Sequence, residues 1–200
     1  MLRDQALFTS GLLVEKVGGP SVKPYQPEGL WEMAMGGARY EVGKGDDLHR
    51  RSLYTFWKRT VPPPSMMALD AADRSYCVVR RQSTSTPLQA LALLNDTQVV
   101  EAARHVAGRI LREGGATPAT RSAFAFRLVT GRRPTREEAG IVQRLLEEQE
   151  AVFRKEPDSA ERLLKVGETP VPGEHPPDQL AAATVLAKAL LNHDESVMRR

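Results

Sequence analysis

The 200 residues are 41% hydrophobic and 26% charged, which suits one sizeable core or one domain with a partial second. No apolar run reaches the ~20 residues that a membrane helix needs, and residues 1–11 lack the basic-then-apolar pattern of a signal peptide. A lone cysteine excludes an internal disulfide, a CxxCH haem attachment and any multi-cysteine zinc site in this chain, and the net charge of +3 is too small and too local to point to nucleic acid.

That charge is unevenly spread. Residues 1–43 hold four basic and five acidic side chains, 44–81 hold eight and four, and 82–200 hold sixteen of each. The basic character therefore comes from one proline-bearing stretch.

In chain order, "RDQALFTSGLLV" reads as a helix with Leu7, Ser10 and Val14 along one side, uncapped at Met1 and ended by the GGP at 18–20. Pro27 is placed to open a short helix carrying Leu30, Trp31 and Met35. "GGARYEVGKGDD" reads as loop with a short strand at Tyr40 to Val42. "HRRSLYTFWKRT" fits helical spacing through Leu53, Phe56 and Trp57, and its β-branched and aromatic content also fits a strand. The helix is preferred, ending before Pro62, with the PPP that follows extended. "SMMALDAADR" adds a helical turn.

From Thr86 the signals sharpen. Thr86-Pro87-Leu88-Gln89 is a capping box with proline at the first helical position. Asp96 caps the next helix, whose Val99, Ala103, Val106 and Ile110 share a face and which Gly114 ends. Thr117-Pro118 opens a helix closed by Gly131, with Phe124 and Leu128 four apart. Thr135 and Glu138 form a further box, leading a helix with Val142, Leu145, Leu146 and Phe153 inward. Asp158 with Glu161 starts a short helix ending at Gly167, and a proline-rich loop leads to a last helix from Pro177, with Leu180, Thr184, Ala187 and Leu191 on one face. The expected fold is mainly α: a compact multi-helix domain with an irregular Arg/Pro-rich N-terminal segment. Residues 1–85 form that partly helical segment and 86–200 the helical part of the same domain.

The candidate site residues lie in the charged stretch: Arg50, Arg51, Arg59, Asp70, Asp73, Arg74, Cys77, Arg80 and Arg81. Arginine forks donate paired hydrogen bonds to phosphate, sulfate or carboxylate. The structural alternative has them pairing with Asp46, Asp47, Asp70, Asp73 and the free carbonyls of an irregular bend. Asp70 and Asp73 are spaced for one helical face, where capping or ion pairing is the expected role. Cys77 reads as a buried structural thiol, since a reactive one needs a nearby base or helix N-terminus. His49, His105, His175 and His193 fall at no metal-ligand spacing, so no metal site is expected. No glycine-rich phosphate loop, GxSxG or triad is present.

Four stretches, "GGPSVKPYQPEGLW", "RRSLYTFWKRTVPPPSMMALDAADRSYCVVRRQSTSTPLQALALLND", "AFRLVTGRRPTREE" and "LLNHDE", resemble the planctomycete cytochrome-associated C-terminal domain of unknown function (domain of unknown function 1553). The resemblance implies a module that follows a c-type cytochrome-like domain in a large exported protein, periplasmic or at the cell surface. It implies no catalytic residue and no cofactor in this chain, haem belonging to other domains of the parent. Members carry a further upstream stretch with an "NRxW…FG"-type signature. Its absence, with the uncapped first helix, leads to the expectation of a C-terminal portion whose partners are that upstream part and the cytochrome-like domains. The leading expectation is thus a non-enzymatic interaction or structural module with an Arg-rich anion-facing or interdomain surface, anionic polysaccharide being one partner class. The alternatives are part of an extracytoplasmic enzyme acting on carbohydrate or sulfated glycan, with Asp70, Asp73 or Cys77 contributing, and a nucleic-acid-binding module.

Overall fold

The computed structural model describes residues 1–35, 39–80, 82–171 and 175–197. Among them are eleven α-helices: α1 (Leu2–Ser10), α2 (Leu30–Met35), α3 (Asp46–His49), α4 (Pro64–Ala68), α5 (Pro87–Asn95), α6 (Thr97–Glu113), α7 (Pro118–Thr130), α8 (Arg136–Lys155), α9 (Pro157–Leu164), α10 (Pro177–Leu191) and α11 (Asp194–Val197). The fold is mainly helical, as the sequence leads one to expect.

Caps decide where the helices of the second half begin. Thr86 Oγ1 accepts from the Gln89 amide at 3.3 Å, and Gln89 Oε1 accepts from the Thr86 amide at 3.1 Å, closing the box that opens α5. Asp96 accepts from the Gln98 amide at 2.9 Å and starts α6. Reciprocal pairs, Thr117 with Thr120 and Thr135 with Glu138, open α7 and α8. One capping expectation fails. Helix α9 begins after Glu156, so Asp158 lies inside its first turn rather than capping it, and the helix stops at Leu164, short of Gly167. Pro157 at the first helical position sets that start.

The core lies where α10 crosses α6 and α8, with α7 and α9 packed beside them. Alanines 181, 182, 183 and 187 of α10 and 102, 103 and 107 of α6 are all buried. Their small side chains let the helix backbones approach closely. Ile110, Phe126, Leu146, Leu180 and Leu186, each under 2% exposed, fill the space between. Burying each such side chain is favourable by about 2 kcal/mol.

The first 61 residues form an arm laid over α6. Helix α1 packs on α6 but ends at Gly11, whose φ of 81° suits a residue without Cβ. The expected continuation through Val14 to the GGP therefore does not form. Val14 instead pairs in parallel with Arg50, and Val22 with Thr55. The Val14 amide donates to His49 O at 3.0 Å, and the Val22 amide to Tyr54 O at 2.8 Å. These pairings also overturn the helix expected over "HRRSLYTFWKRT". Only α3 and one 3₁₀ turn, Ser52–Tyr54, form there, because the backbone of 49–56 is engaged by Val14 and Val22. No strand forms at Tyr40 to Val42. Pro62 and Pro63 precede the helix and Pro64 opens α4, so the expected extension of the whole PPP run stops at Pro64, whose missing N–H suits the first helical position.

The arm has its own small aromatic cluster. Trp31 meets Tyr40 edge-on at 5.1 Å and Phe56 at 6.0 Å, with the Lys23 ammonium 5.4–5.8 Å from all three rings and that of Lys58 4.3 Å from Trp31.

Replacing Thr135 by alanine removes the acceptor at the head of α8. The expected loss is about 1 kcal/mol, read as a lower urea midpoint at unchanged slope.

Candidate functional site

The charged stretch divides into arginines turned inward and arginines left in solvent. Arg50 is 3% exposed. Its guanidinium donates to the carbonyls of Pro20 and Lys16, both at 3.0 Å, and of Gly18 at 2.5 Å, and lies 3.9 Å from the Tyr54 ring. The turn at 16–20 is wrapped around it. Gly18 and Gly19, at φ 77° and 84°, supply the left-handed backbone that brings the carbonyls to one point. Arg50 thus holds the arm together and is not a ligand-facing residue.

Arg51, Arg59 and Arg80 are exposed. Among the described residues none of them makes a hydrogen bond or an ion pair, and no ion pair joins an arginine of 44–80 to Asp46, Asp47, Asp70 or Asp73. The expected aspartate pairing is therefore absent. Arg74 is exposed, sits at φ 64° and lays its guanidinium 4.8 Å from the Trp57 ring. Arg81 lies outside the described residues.

Asp70 and Asp73 fall beyond the end of α4, so they share no helical face. Asp70, at φ 58°, accepts from the Thr84 amide at 2.7 Å, the Thr84 hydroxyl at 2.8 Å and Gln89 Nε2 at 3.0 Å. The Thr84 amide above all, with the Thr84 hydroxyl and Gln89, holds its carboxyl below the ordinary value against the opposing effect of burial. Asp73 is half-buried and engages none of these groups. Cys77 is an exposed free thiol. The expectation of a buried one fails because 74–80 runs over the surface as irregular backbone.

A cavity of about 500 Å³ lies beside the bend. Its wall is built from the start of α1, residues 52–57, α4 with the bend after it, residues 82–84, α5, the head of α6 and the end of α11. Of the sequence-derived candidates, Asp70 and Arg74 line it. Arg51, Arg59 and Arg80 each stand within two positions of a lining side chain, Ser52, Trp57 and Gln82 respectively. Arg51, Arg59, Asp73, Cys77 and Arg80 are not part of the wall.

A second polar cluster, buried, lies under the arm and was not apparent in the sequence. Glu101 of α6 is 0% exposed. Its Oε2 accepts from His49 Nε2 at 2.9 Å and Gln98 Nε2 at 3.3 Å. Its Oε1 accepts from Tyr25 Oη at 3.2 Å, the Thr169 amide at 2.8 Å and the Thr169 hydroxyl at 2.9 Å. Burial pushes this carboxyl up, but the bonds from His49 and Thr169 outweigh it and leave it at about 2. His49 Nδ1 lies 3.2 Å from Gly45 O. Both ring nitrogens thus lie beside oxygens of the protein. Burial pushes the Tyr25 phenol up to about 12, so it stays a donor. One turn along α6, Arg104, 1% exposed, donates to the carbonyls of Leu164 and, at 2.7 Å, Thr169. Gly167 sits at φ 91°, where an added Cβ would come 2.6 Å from Glu101 Oε1. The available sequence signal was charge inside an apolar run: Glu101 and Arg104 sit among Val99, Val100, Ala102, Ala103, Val106 and Ala107. Among the described residues no three His, Cys, Asp or Glu side chains gather as a metal-binding group.

Residues 1–146 match the model of the PSD1 family, described as a protein of unknown function (DUF1553). No curated protein and no solved structure matches the chain.

Glu101→Gln is expected to lower stability at neutral pH by about 3 kcal/mol by breaking the buried pair with His49. The native carboxyl is depressed from 4.5 to about 2, so its contribution is complete above 4.5 and is lost as pH falls towards 2. The gap between wild type and variant therefore narrows over that window, as urea titrations at stepped pH would show.

Proposed function

The chain belongs to the PSD1 family, and because that family is described without a function, we propose from the site that it is a non-catalytic interaction module that presents Arg51, Arg59 and Arg80 to an anionic partner. The observation that carries this reading is the uncompensated charge of 44–80. Among the described residues its arginines outside the Arg50 turn have no carboxylate partner, although four aspartates lie in the same stretch. A guanidinium left in water keeps its five donors and its charge for a ligand such as a sulfated or carboxylated polysaccharide, or for the acidic face of a neighbouring domain.

The cavity supports binding over catalysis. Of Asp70, Asp73 and Cys77, only Asp70 lines it, and both its oxygens are occupied by Thr84 and Gln89. A carboxylate held ionised by three donors is a poor proton donor at neutral pH. The likeness of the four sequence stretches to a planctomycete cytochrome-associated domain supports a wider setting for this module: an exported, periplasmic or cell-surface protein with a c-type cytochrome-like domain elsewhere, where the acidic partner is interdomain or polysaccharide.

The test is a titration of the chain with heparin, a sulfated polysaccharide, at several salt concentrations. The variant carrying Arg51→Gln, Arg59→Gln and Arg80→Gln is expected to bind about tenfold more weakly with a shallower salt dependence. Equal affinity of variant and wild type would overturn the reading. Duplex DNA bound more tightly than heparin at matched salt would replace it with the nucleic-acid reading.

A further inference from the structure

The cavity has a hydrogen-bonding character of its own, independent of the arginines assigned above. Much of its wall is apolar, with Leu2, Leu53, Met66, Leu69, Leu93 and Val99 among the lining side chains. Its charged side chains are Arg3, Asp4, Asp70, Arg74 and Asp96, and four of the five are already committed. Arg3 donates to the carbonyls of Arg50 at 2.8 Å and Leu48 at 2.7 Å, and to Gln98 Oε1 at 3.1 Å. Asp4 accepts from the Ser52 amide at 2.8 Å and hydroxyl at 2.5 Å. Asp70 is held by Thr84 and Gln89, and Asp96 by the first amides of α6. Arg74 alone makes no hydrogen bond or ion pair among the described residues; its one recorded contact is the Trp57 ring. Trp57 lines the same wall, and its indole N–H is buried without an acceptor. A buried unsatisfied donor costs about 1–3 kcal/mol and calls for a reason.

Among the charged side chains and the buried polar atoms of the wall, the unspent capacity is thus donor capacity, one guanidinium and one indole N–H on side chains that touch each other. An apolar body fills such a wall, and an acidic group answers the two donors. We propose that this cavity binds a small amphipathic carboxylate, its apolar part against Leu2, Leu53, Met66, Leu69 and Leu93 and its carboxylate on Arg74 and Trp57. A volume of about 500 Å³ falls inside the ordinary range for small-molecule sites. The three carboxylates in the wall do not oppose this, because each is already met by donors of the fold, and burial pushes the Asp96 carboxyl up towards its neutral form.

The probes are decanoate, decan-1-ol and decyltrimethylammonium, three molecules with one apolar chain and three head groups. Binding to the intact chain is followed by the two tryptophan indole N–H resonances, assigned with Trp57→Phe or by backbone connectivity. Decanoate is expected to shift the Trp57 resonance and to bind about tenfold more tightly than the alcohol or the ammonium. Arg74→Gln, a change at an exposed side chain, is expected to erase that preference while the circular dichroism stays native. The proposal is overturned if decanol matches decanoate, if the ammonium binds most tightly, if none of the three binds, or if Arg74→Gln keeps the preference. Because Arg74 is not among the residues changed in the heparin titration, the two readings fail separately.

Discussion

A carboxylate without access to water must find its donors inside the protein, and Glu101 finds five of them on four other residues. Tyr25 and His49 come from the arm, Gln98 from its own helix, and Thr169, with its amide and hydroxyl, from the loop between α9 and α10. No pair of these segments satisfies the charge alone, so the arm and the loop are held in place by the same group. A buried carboxylate adds little net stability over apolar packing, but removing one of its donors is expensive. Its effect is to make one arrangement of the arm far better than its neighbours.

Arginine is used here chiefly as a multiple donor to backbone. Arg3, Arg50, Arg104 and Arg109 each reach a main-chain carbonyl outside their own element, from Thr9 to Thr169. An arm with three isolated bridges in place of a sheet leaves many carbonyls unpaired, and a flat cation with five donors can collect several at once. The same residue type therefore serves two ends in one stretch. Arg50 is buried by the turn it organises, while Arg51, its neighbour, is exposed and has no such turn to fill.

The helical half was legible in the sequence because its start signals are local. A threonine three residues before a glutamine or glutamate, or a threonine–proline pair, carries its hydrogen-bond partner with it, and α5, α7 and α8 begin where those signals fall, as α6 does at its Asp96 cap. The arm was not legible for the opposite reason. The carbonyls that Arg50 binds lie 30 to 34 positions away, and the helical spacing of Leu53, Phe56 and Trp57 was overridden by pairing with Val22. Gly11 looked like an interior residue of a longer helix until its left-handed φ showed it to be the end. The polar hub was half-written. Glu101 and Arg104 stand on the apolar run from Val99 to Ala107, but nothing local names His49 or Thr169 as their partners.

The closure of the Glu101 network also sets an order of assembly during synthesis. The arm leaves the ribosome first, yet the groups that hold it lie at positions 98, 101 and 169. Until Thr169 has emerged, the carboxylate that receives Tyr25 and His49 lacks two of its donors and the α9–α10 loop that covers it at Gly167. At about 5–20 residues per second, roughly a hundred residues separate the end of the arm from that loop, so the arm spends several seconds without its final seat. Its aromatic cluster, Trp31 with Tyr40 and Phe56 under two lysines, is built entirely from residues before 59, and so gives the nascent segment a local core to hold while its long-range partner is still being made.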